Sequence, residues 1–378
     1  VRLETPVPGD VLAAIEAPFR DTPAETLDAP LLQPLGLLLD LAGETLRDRL
    51  FVVQGDGPET CLRPDFTVPA VRAHIASGRA RGRYFYSGHA FRVSPRGSLR
   101  AEEFPQLGVE AFEPGEPAIA DAEMAALAWR ASLAGGRDDL TLLMGDIGLF
   151  GAFVDALDLP PPLAGRLKRV FSTPRRLRAE LDRELSGAKA GEPAGSRLAA
   201  LLSGLSEEAA TGVLEEIWAM AGIEPVGGRS PAEIVHRLAE RAALAAAPRL
   251  TPAQADLARR FLSLAGEPRQ VLAAVADLVG GSAPGLDAAR QAWERRLSAL
   301  ADASVPGDRI RFSAAFGRAF GYYDGVLFEI RSAALGEDQA VAAGGRYDGL
   351  PAKLGLSLPT GAVGCMVRPG RAWAGAFR

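Results

Sequence analysis

The residues with the clearest chemical potential lie in Tyr84–Phe112, YFYSGHAFRVSPRGSLRAEEFPQLGVEAF, which reads as two strands joined by a polar, basic loop. Period-2 alternation puts Tyr84, Tyr86, Gly88, Ala90 and Arg92 on one face of the first strand. It puts Gln106, Gly108, Glu110 and Phe112 on one face of the second, with Leu107, Val109 and Ala111 opposite. An amide and a carboxylate separated by a glycine leave a side-chain-sized gap able to hold a small polar ligand. A solvated sheet face accounts for the same pattern. Asp65 and Thr67, in CLRPDFTVPAVRAHIASG, sit at a strand-to-helix corner, where helix capping alone explains both. Gly344-Gly345 before Arg346 either lets backbone approach a ligand or makes a turn.

Other chemistries find little support. The glycines lack the spacing of a phosphate loop or a dinucleotide fingerprint. Ser94 and His89 are neighbours in sequence, but no nucleophile–histidine–acid set accompanies them. With only His74, His89 and His236, and with Cys61 and Cys365 far apart, a zinc site is not expected, nor is a cofactor. The two cysteines read as free thiols in a reducing compartment.

The elements that must position these residues follow from the whole chain. Its 378 residues, 48% hydrophobic and 24% charged, suit a soluble protein of two or three domains. A net charge of -5 and pI near 5.5 disfavour a large nucleic-acid interface. No apolar run approaches membrane-spanning length and no secretory leader is recognisable, so the chain reads as cytoplasmic. Helices are expected at 9–19, from about Thr67 with Pro69 in the first turn, and at 118–133. Strands are expected at 50–54, 60–63, 140–144, 321–330, 340–350 and 360–367. Gly145-Asp146-Ile147-Gly148 reads as a turn, and Pro369 is expected to truncate or delay a terminal helix.

From Leu163 to Leu300 alanine, leucine, arginine and glutamate dominate and strand signals vanish. Ser230-Pro231-Ala232-Glu233 and Thr251-Pro252-Ala253-Gln254 are capping boxes. The basic run of Arg166, Lys168, Arg169, Arg175, Arg176 and Arg178 is either a site for an anionic partner or a solvated helix face. The expected class is α+β: an antiparallel sheet flanked by helices in a discontinuous domain, 1–160 and 305–378, interrupted by a helical insertion, 161–304.

Five motifs, in order, resemble the core of histidyl-tRNA synthetase, a class II synthetase: Leu62–Thr67 (LRPDFT), Phe91–Arg92, Gln106–Glu110 (QLGVE), Arg318–Glu329 (RAFGYYDGVLFE) and Gly344–Leu350 (GGRYDGL). The resemblance implies a six-stranded antiparallel sheet, usually dimeric. It also implies a histidine pocket in which Asp65 (in place of the usual glutamate) and Thr67 receive the substrate ammonium. Gln106, Glu110, Tyr323 and Tyr347 complete that pocket, with Tyr322 beside them and Arg92 and Arg318 on its phosphate side. A carboxylate at one imidazole nitrogen and a hydroxyl at the other would select histidine.

The nucleotide side departs from the synthetase pattern. Arg92-Val93-Ser94 stands where synthetases carry Arg-x-Glu, and Gly321 replaces the aspartate before the tyrosine pair. The final Gly-Leu-Glu-Arg becomes Arg368-Pro369-Gly370-Arg371; Arg371 aligns, but the acid is gone. Arg318 keeps the position of the synthetases' catalytic arginine. The chain stops about seven residues after Arg371, without a following anticodon-binding domain. An intact histidine pocket beside a degraded nucleotide site resembles the regulatory subunits of short-form ATP phosphoribosyltransferase, which act at the first step of histidine biosynthesis. That resemblance implies a non-catalytic chain without aminoacylation of its own, since its nucleotide motifs are lost, and a homodimer within a hetero-oligomer. Its implied partners are the catalytic subunit and L-histidine, with no tRNA. Competing readings are a true synthetase, a stand-alone histidine sensor, and a scaffold with a vestigial pocket.

Overall fold

The computed structural model describes residues 1–42, 44–98, 100–171, 177–178, 181–182, 205–221, 235, 250–280, 283–317, 321–336, 339–356 and 360–377. In chain order its strands are β1 (Glu25–Thr26), β2 (Leu32–Pro34), β3 (Val52–Val53), β4 (Thr60–Leu62), β5 (Gly82–Phe91), β6 (Glu103–Phe112), β7 (Leu140–Asp146), β8 (Ala265–Gly266), β9 (Ile310–Ser313), β10 (Val326–Ser332), β11 (Ala342–Arg346) and β12 (Ala362–Val367). Nine form one sheet, ordered β1-β5-β6-β12-β11-β10-β7-β9-β8, and β2-β4-β3 form a small second sheet. The six central strands, β5 to β7 in that order, are antiparallel throughout. Among the described strands the parallel pairs are those that join an outer strand to this core, β1 with β5 and β9 with β7. The fold is thus α+β with an antiparallel core, extended to a mixed sheet. Its two edge strands, β1 and β8, are two residues each, so neither edge presents a long unpaired row.

Two compact units appear: residues 1–153 with 261–378, and residues 154–260. The helical region expected at 161–304 therefore divides differently. Residues 261–304 belong to the sheet unit, because β8 pairs with β9 and helix Pro284–Asp302 packs on helix Pro117–Ala134. Arg296 ties that helix in place through the buried carboxylate of Asp121, at 2.7 Å. Composition alone could not separate these helices from those of the other unit, since both are rich in alanine and arginine.

Helix Pro117–Ala134 is apolar almost all round and buried almost all round, as expected for a helix enclosed by other elements. It lies against β10, β11, β12 and helix Gly9–Arg20. Glu116 caps its start, accepting from the Ile119 amide at 2.9 Å. Asp121 also accepts from Arg346 Nε at 2.8 Å. Arg346 is flanked by Gly345, whose register partner is Gly364, itself the partner of Glu110. Alternation therefore puts helix Pro117–Ala134 on the sheet face opposite Glu110. The Glu110 face is covered instead by helix Thr67–Ser77, whose Thr67 hydroxyl reaches Glu110.

Several local expectations change. Gly344-Gly345 is not a turn: both residues lie within β11, paired to β10 on one side and β12 on the other. A Cβ on Gly344 would strike the Phe328 ring and the Gly364 carbonyl, so close strand packing explains the glycine. Tyr322 and Tyr323 precede β10 rather than alternating along it, with rings packed at 4.8 Å. β7 runs through Asp146 directly into helix Ile147–Ala156, with Asp146 Oδ1 accepting from the Leu149 amide at 3.1 Å; this replaces the expected turn. Pro369 begins a short helix, Pro369–Ala372, where its missing N–H costs nothing.

The unit of residues 154–260 is helical where described, including Pro161–Val170 and Glu207–Ala221, with Ala210, Leu214 and Val235 in its core beside Trp218. The capping box at Thr251 is present in both directions: Gln254 N donates to Thr251 Oγ1 at 3.2 Å and Thr251 N to Gln254 Oε1 at 3.0 Å. The box at 230–233 lies outside the described residues, as do Arg175 and Arg176. Of the basic run, Lys168 is engaged by Asp155 at 2.7 Å.

Candidate functional site

Glu110 is 2% exposed, near the C-terminal end of β6, where it pairs with Gly364 of β12. Three hydroxyls donate to its carboxylate: Thr67 at 2.9 Å and Tyr86 at 3.3 Å to Oε1, and Tyr347 to Oε2. Burial pushes its acid up to about 7, against the pull of those hydrogen bonds; the nearby Asp65 carboxylate adds to the rise. Burial and the Glu110 charge in turn hold the Tyr86 and Tyr347 phenols well above the ordinary tyrosine range.

Each hydroxyl reaches Glu110 for a local reason. Thr67 opens its helix immediately after the β4 turn, so its side chain points down onto the sheet. Tyr347 follows β11 and is tied to β12 by its amide, which donates to the Ala362 carbonyl at 2.8 Å. Tyr86 faces Gly108 in the β5–β6 register. A Cβ on Gly108 would collide with the Tyr86 hydroxyl, and one on Gly364 would overlap the Glu110 carboxylate. The two glycines make room for the acid and for the tyrosine. The gap read from the Gln106–Gly108–Glu110 spacing is thus filled by Tyr86.

A second acid adjoins this one. The Tyr322 hydroxyl donates to Asp65 Oδ2 at 3.4 Å and also bonds Thr67, joining the Asp65 and Glu110 groups. Arg92 Nη2 lies 3.9 Å from Asp65 Oδ2, and its Nε donates to the Pro64 carbonyl at 2.8 Å. Tyr323, half-buried, packs on Tyr322 and lies edge-on to Tyr347 at 6.3 Å. Gln106, 2% exposed, bonds Tyr86 and leaves Oε1 with no hydrogen-bond partner among the described residues.

Eight of the nine residues singled out in the sequence are therefore gathered in one network: Asp65, Thr67, Arg92, Gln106, Glu110, Tyr322, Tyr323 and Tyr347. Arg318 lies outside the described residues. Tyr86 is the member that sequence reasoning passed over, although its place opposite Gly108 follows from strand register. His89 and Ser94 are unconnected: His89 Nδ1 lies 2.7 Å from Glu103 Oε1, and Ser94 Oγ donates to the Arg100 carbonyl at 3.4 Å. No cluster of metal-ligating side chains occurs among the described residues.

Chemically, two buried carboxylates, an amide oxygen needing a donor and a ring of phenols suit a small ligand that brings several N–H groups. The acids would supply charge, and the tyrosine rings would pack on a flat ring.

An antiparallel core of six strands with this acid network on one face defines a class II aminoacyl-tRNA synthetase-like protein. The histidyl-tRNA synthetase family matches residues 25–216 and 209–368. The fold also matches solved structures. A Bacillus halodurans protein described as an ATP phosphoribosyltransferase regulatory subunit/histidyl-tRNA synthetase aligns with TM-score 0.65 and 20% identity, over 98% of this chain and 78% of that one. Histidyl-tRNA synthetase from Nostoc sp. PCC 7120 aligns with TM-score 0.59 and 15% identity, over 96% and 69%. Among sequences, the ATP phosphoribosyltransferase regulatory subunit of Brucella anthropi is 38% identical over 90% of each chain. That of Brucella ovis is 35% identical over 94% of each. The chain belongs to the family of ATP phosphoribosyltransferase regulatory subunits, the histidyl-tRNA synthetase-like paralogues.

Proposed function

We propose that this chain is the regulatory subunit of a short-form ATP phosphoribosyltransferase, acting in histidine biosynthesis without transferring a phosphoribosyl group itself. In this reading it assembles with the catalytic subunit, as a homodimer within a hetero-oligomer, and raises that subunit's activity. L-histidine bound around Glu110 transmits feedback inhibition. The observation that supports it is the buried Glu110 carboxylate, held by three hydroxyls beside Asp65 and the unmet amide oxygen of Gln106.

Histidine is a consistent ligand for such a network. Its imidazole offers one donor when neutral and two when protonated, and its ammonium offers three N–H groups to Asp65, Gln106 and Thr67. A ligand lacking those donors would leave buried acceptors unpaired, which is costly enough to discriminate by orders of magnitude. Arg92 beside Asp65 is placed to meet the ligand carboxylate. Inhibition then requires that histidine bind two conformations of the complex unequally, since only differential affinity shifts an equilibrium. The hydroxyls on Glu110 must rearrange to admit an imidazole, and that rearrangement is the switch in this reading.

Calorimetric titration with L-histidine is the test. The wild-type chain should bind it, and Glu110→Gln should weaken binding by about 10- to 100-fold, the worth of a charged hydrogen bond. Equal affinity in both proteins would contradict the reading.

A further inference from the structure

Tyr322 and Tyr323 reach the site from the loop before β10, and Tyr347 reaches it from the turn after β11. Asp324, the residue that follows the tyrosine pair, joins these two segments. Its amide donates to the Arg346 carbonyl at 3.1 Å. Its carboxylate spans the turn: Oδ1 accepts from the Asp348 amide at 3.0 Å and Oδ2 from the Gly349 amide at 2.6 Å. Asp324 thus bonds the residues on either side of Tyr347, and Gly349 beyond them.

The turn does not supply these acceptors itself. Asp348 stands at the cap position of the short helix Gly349–Lys353, yet its side chain makes no capping bond. It turns the other way, where Oδ1 accepts from the Ala362 amide at 2.7 Å and from Arg346 Nη1 at 2.9 Å. The first amides of a helix need acceptors, and here another loop provides them. Two glycines let the loops approach. A Cβ on Gly349 would lie 2.9 Å from Asp324 Oδ2, and one on Gly325 would lie 2.9 Å from Arg346 Cδ. Burial holds the Asp324 acid above its ordinary value, against the pull of the two amides.

The joined segments meet ring to ring at the site. Tyr347 lies edge-on to Tyr322 at 6.0 Å and to Tyr323 at 6.3 Å. Leu350, from the helix that Asp324 caps, packs in the same buried cluster as Tyr322 and Tyr347. The hydroxyl ends are divided between the two acids, Tyr347 on Glu110 and Tyr322 on Asp65. A shift of either segment against the other would move a phenol off its acid.

We propose that Asp324 is a positioning residue for the ligand site: by holding the Asp348 and Gly349 amides it keeps Tyr322, Tyr323 and Tyr347 in one wall, against which the imidazole ring packs. This rests on the reading of the site as a histidine pocket. The tie fixes the backbone of the two segments and leaves the hydroxyl ends able to rearrange. Without it, binding must itself order both segments, and affinity falls by the cost of that ordering.

The test is calorimetric titration of the full chain with L-histidine. Asp324→Ala should bind about tenfold more weakly than wild type, and Asp324→Asn, which keeps one acceptor oxygen, about threefold more weakly. Asp139→Ala is the matched control. At the far end of β10, Asp139 Oδ2 accepts from the Ala334 amide at 2.8 Å and the Ser332 hydroxyl at 2.7 Å. Its loss removes a comparable loop tie and should leave histidine affinity unchanged. Asp324→Asn decides the matter if Asp324→Ala does not fold. Affinity equal to wild type in the Asp324 variants, or an equal loss in Asp139→Ala, would overturn the inference while leaving the histidine reading in place. A wild-type chain that binds no histidine would overturn both.

Discussion

A carboxylate inside a sheet protein is usually either paired with a cation or kept neutral, and Glu110 is met instead by three hydroxyls. Its acid, raised from 4.5 to about 7 by burial, makes stability depend on pH in a definite direction. Between those two values the folded chain holds a proton that the unfolded chain has lost. The stability contribution of Glu110 is therefore full below pH 4.5 and is lost as pH rises through 7. Denaturant unfolding at pH 5 and pH 8 should show Glu110→Gln gaining on wild type at the higher pH, by about 3 kcal/mol at most. No difference between the two pH values would argue that the carboxylate is not desolvated. The amide and acid of this site were legible from alternation along Gln106–Glu110. What alternation could not give was the occupant of the space above Gly108, because that depends on which strand pairs in register; the Tyr86 ring takes it.

At the scale of elements, two close approaches hold the site. β12 meets β6 at Gly364, where a Cβ would overlap the Glu110 carboxylate. Gly364→Ala should cost about 1–3 kcal/mol, typical of overpacking, and should weaken histidine binding with it; denaturant unfolding and calorimetry check the two. Behind the sheet, Asp121 accepts from both Arg296 and Arg346, all three side chains buried. Asp121→Ala removes the acid that Arg296 and Arg346 share, leaving Arg346 only Asp348 at 2.9 Å, and should cost about 3–5 kcal/mol in the same unfolding assay. Most strands were readable from period 2, but Gly344-Gly345 was not. A glycine pair signals a turn and a tight strand crossing equally, and only the Phe328 ring and the Gly364 carbonyl settle it. Tyr322 and Tyr323 misled for a related reason: aromatic residues next to a strand alternate in sequence whether or not they alternate in space.

For the whole molecule, the five motifs in order were enough to indicate the family, and their described residues lie at the sheet or at the start of the helix that covers its Glu110 face. The division into units was less legible, since helix Pro284–Asp302 has the composition of an insertion but is tied to the sheet unit through Asp121. Among the described residues no helix is long and apolar enough to cross a membrane. Regulation adds a demand that binding alone does not meet: histidine must favour one state of an assembly over another. The most direct measurement is the rate of phosphoribosyl-ATP formation by the short catalytic subunit, with and without this chain, across a histidine titration. The account predicts a higher rate with the chain present, inhibition by histidine, and loss of that inhibition with Glu110→Gln while activation persists. A rate unchanged by the chain at every histidine concentration would contradict it.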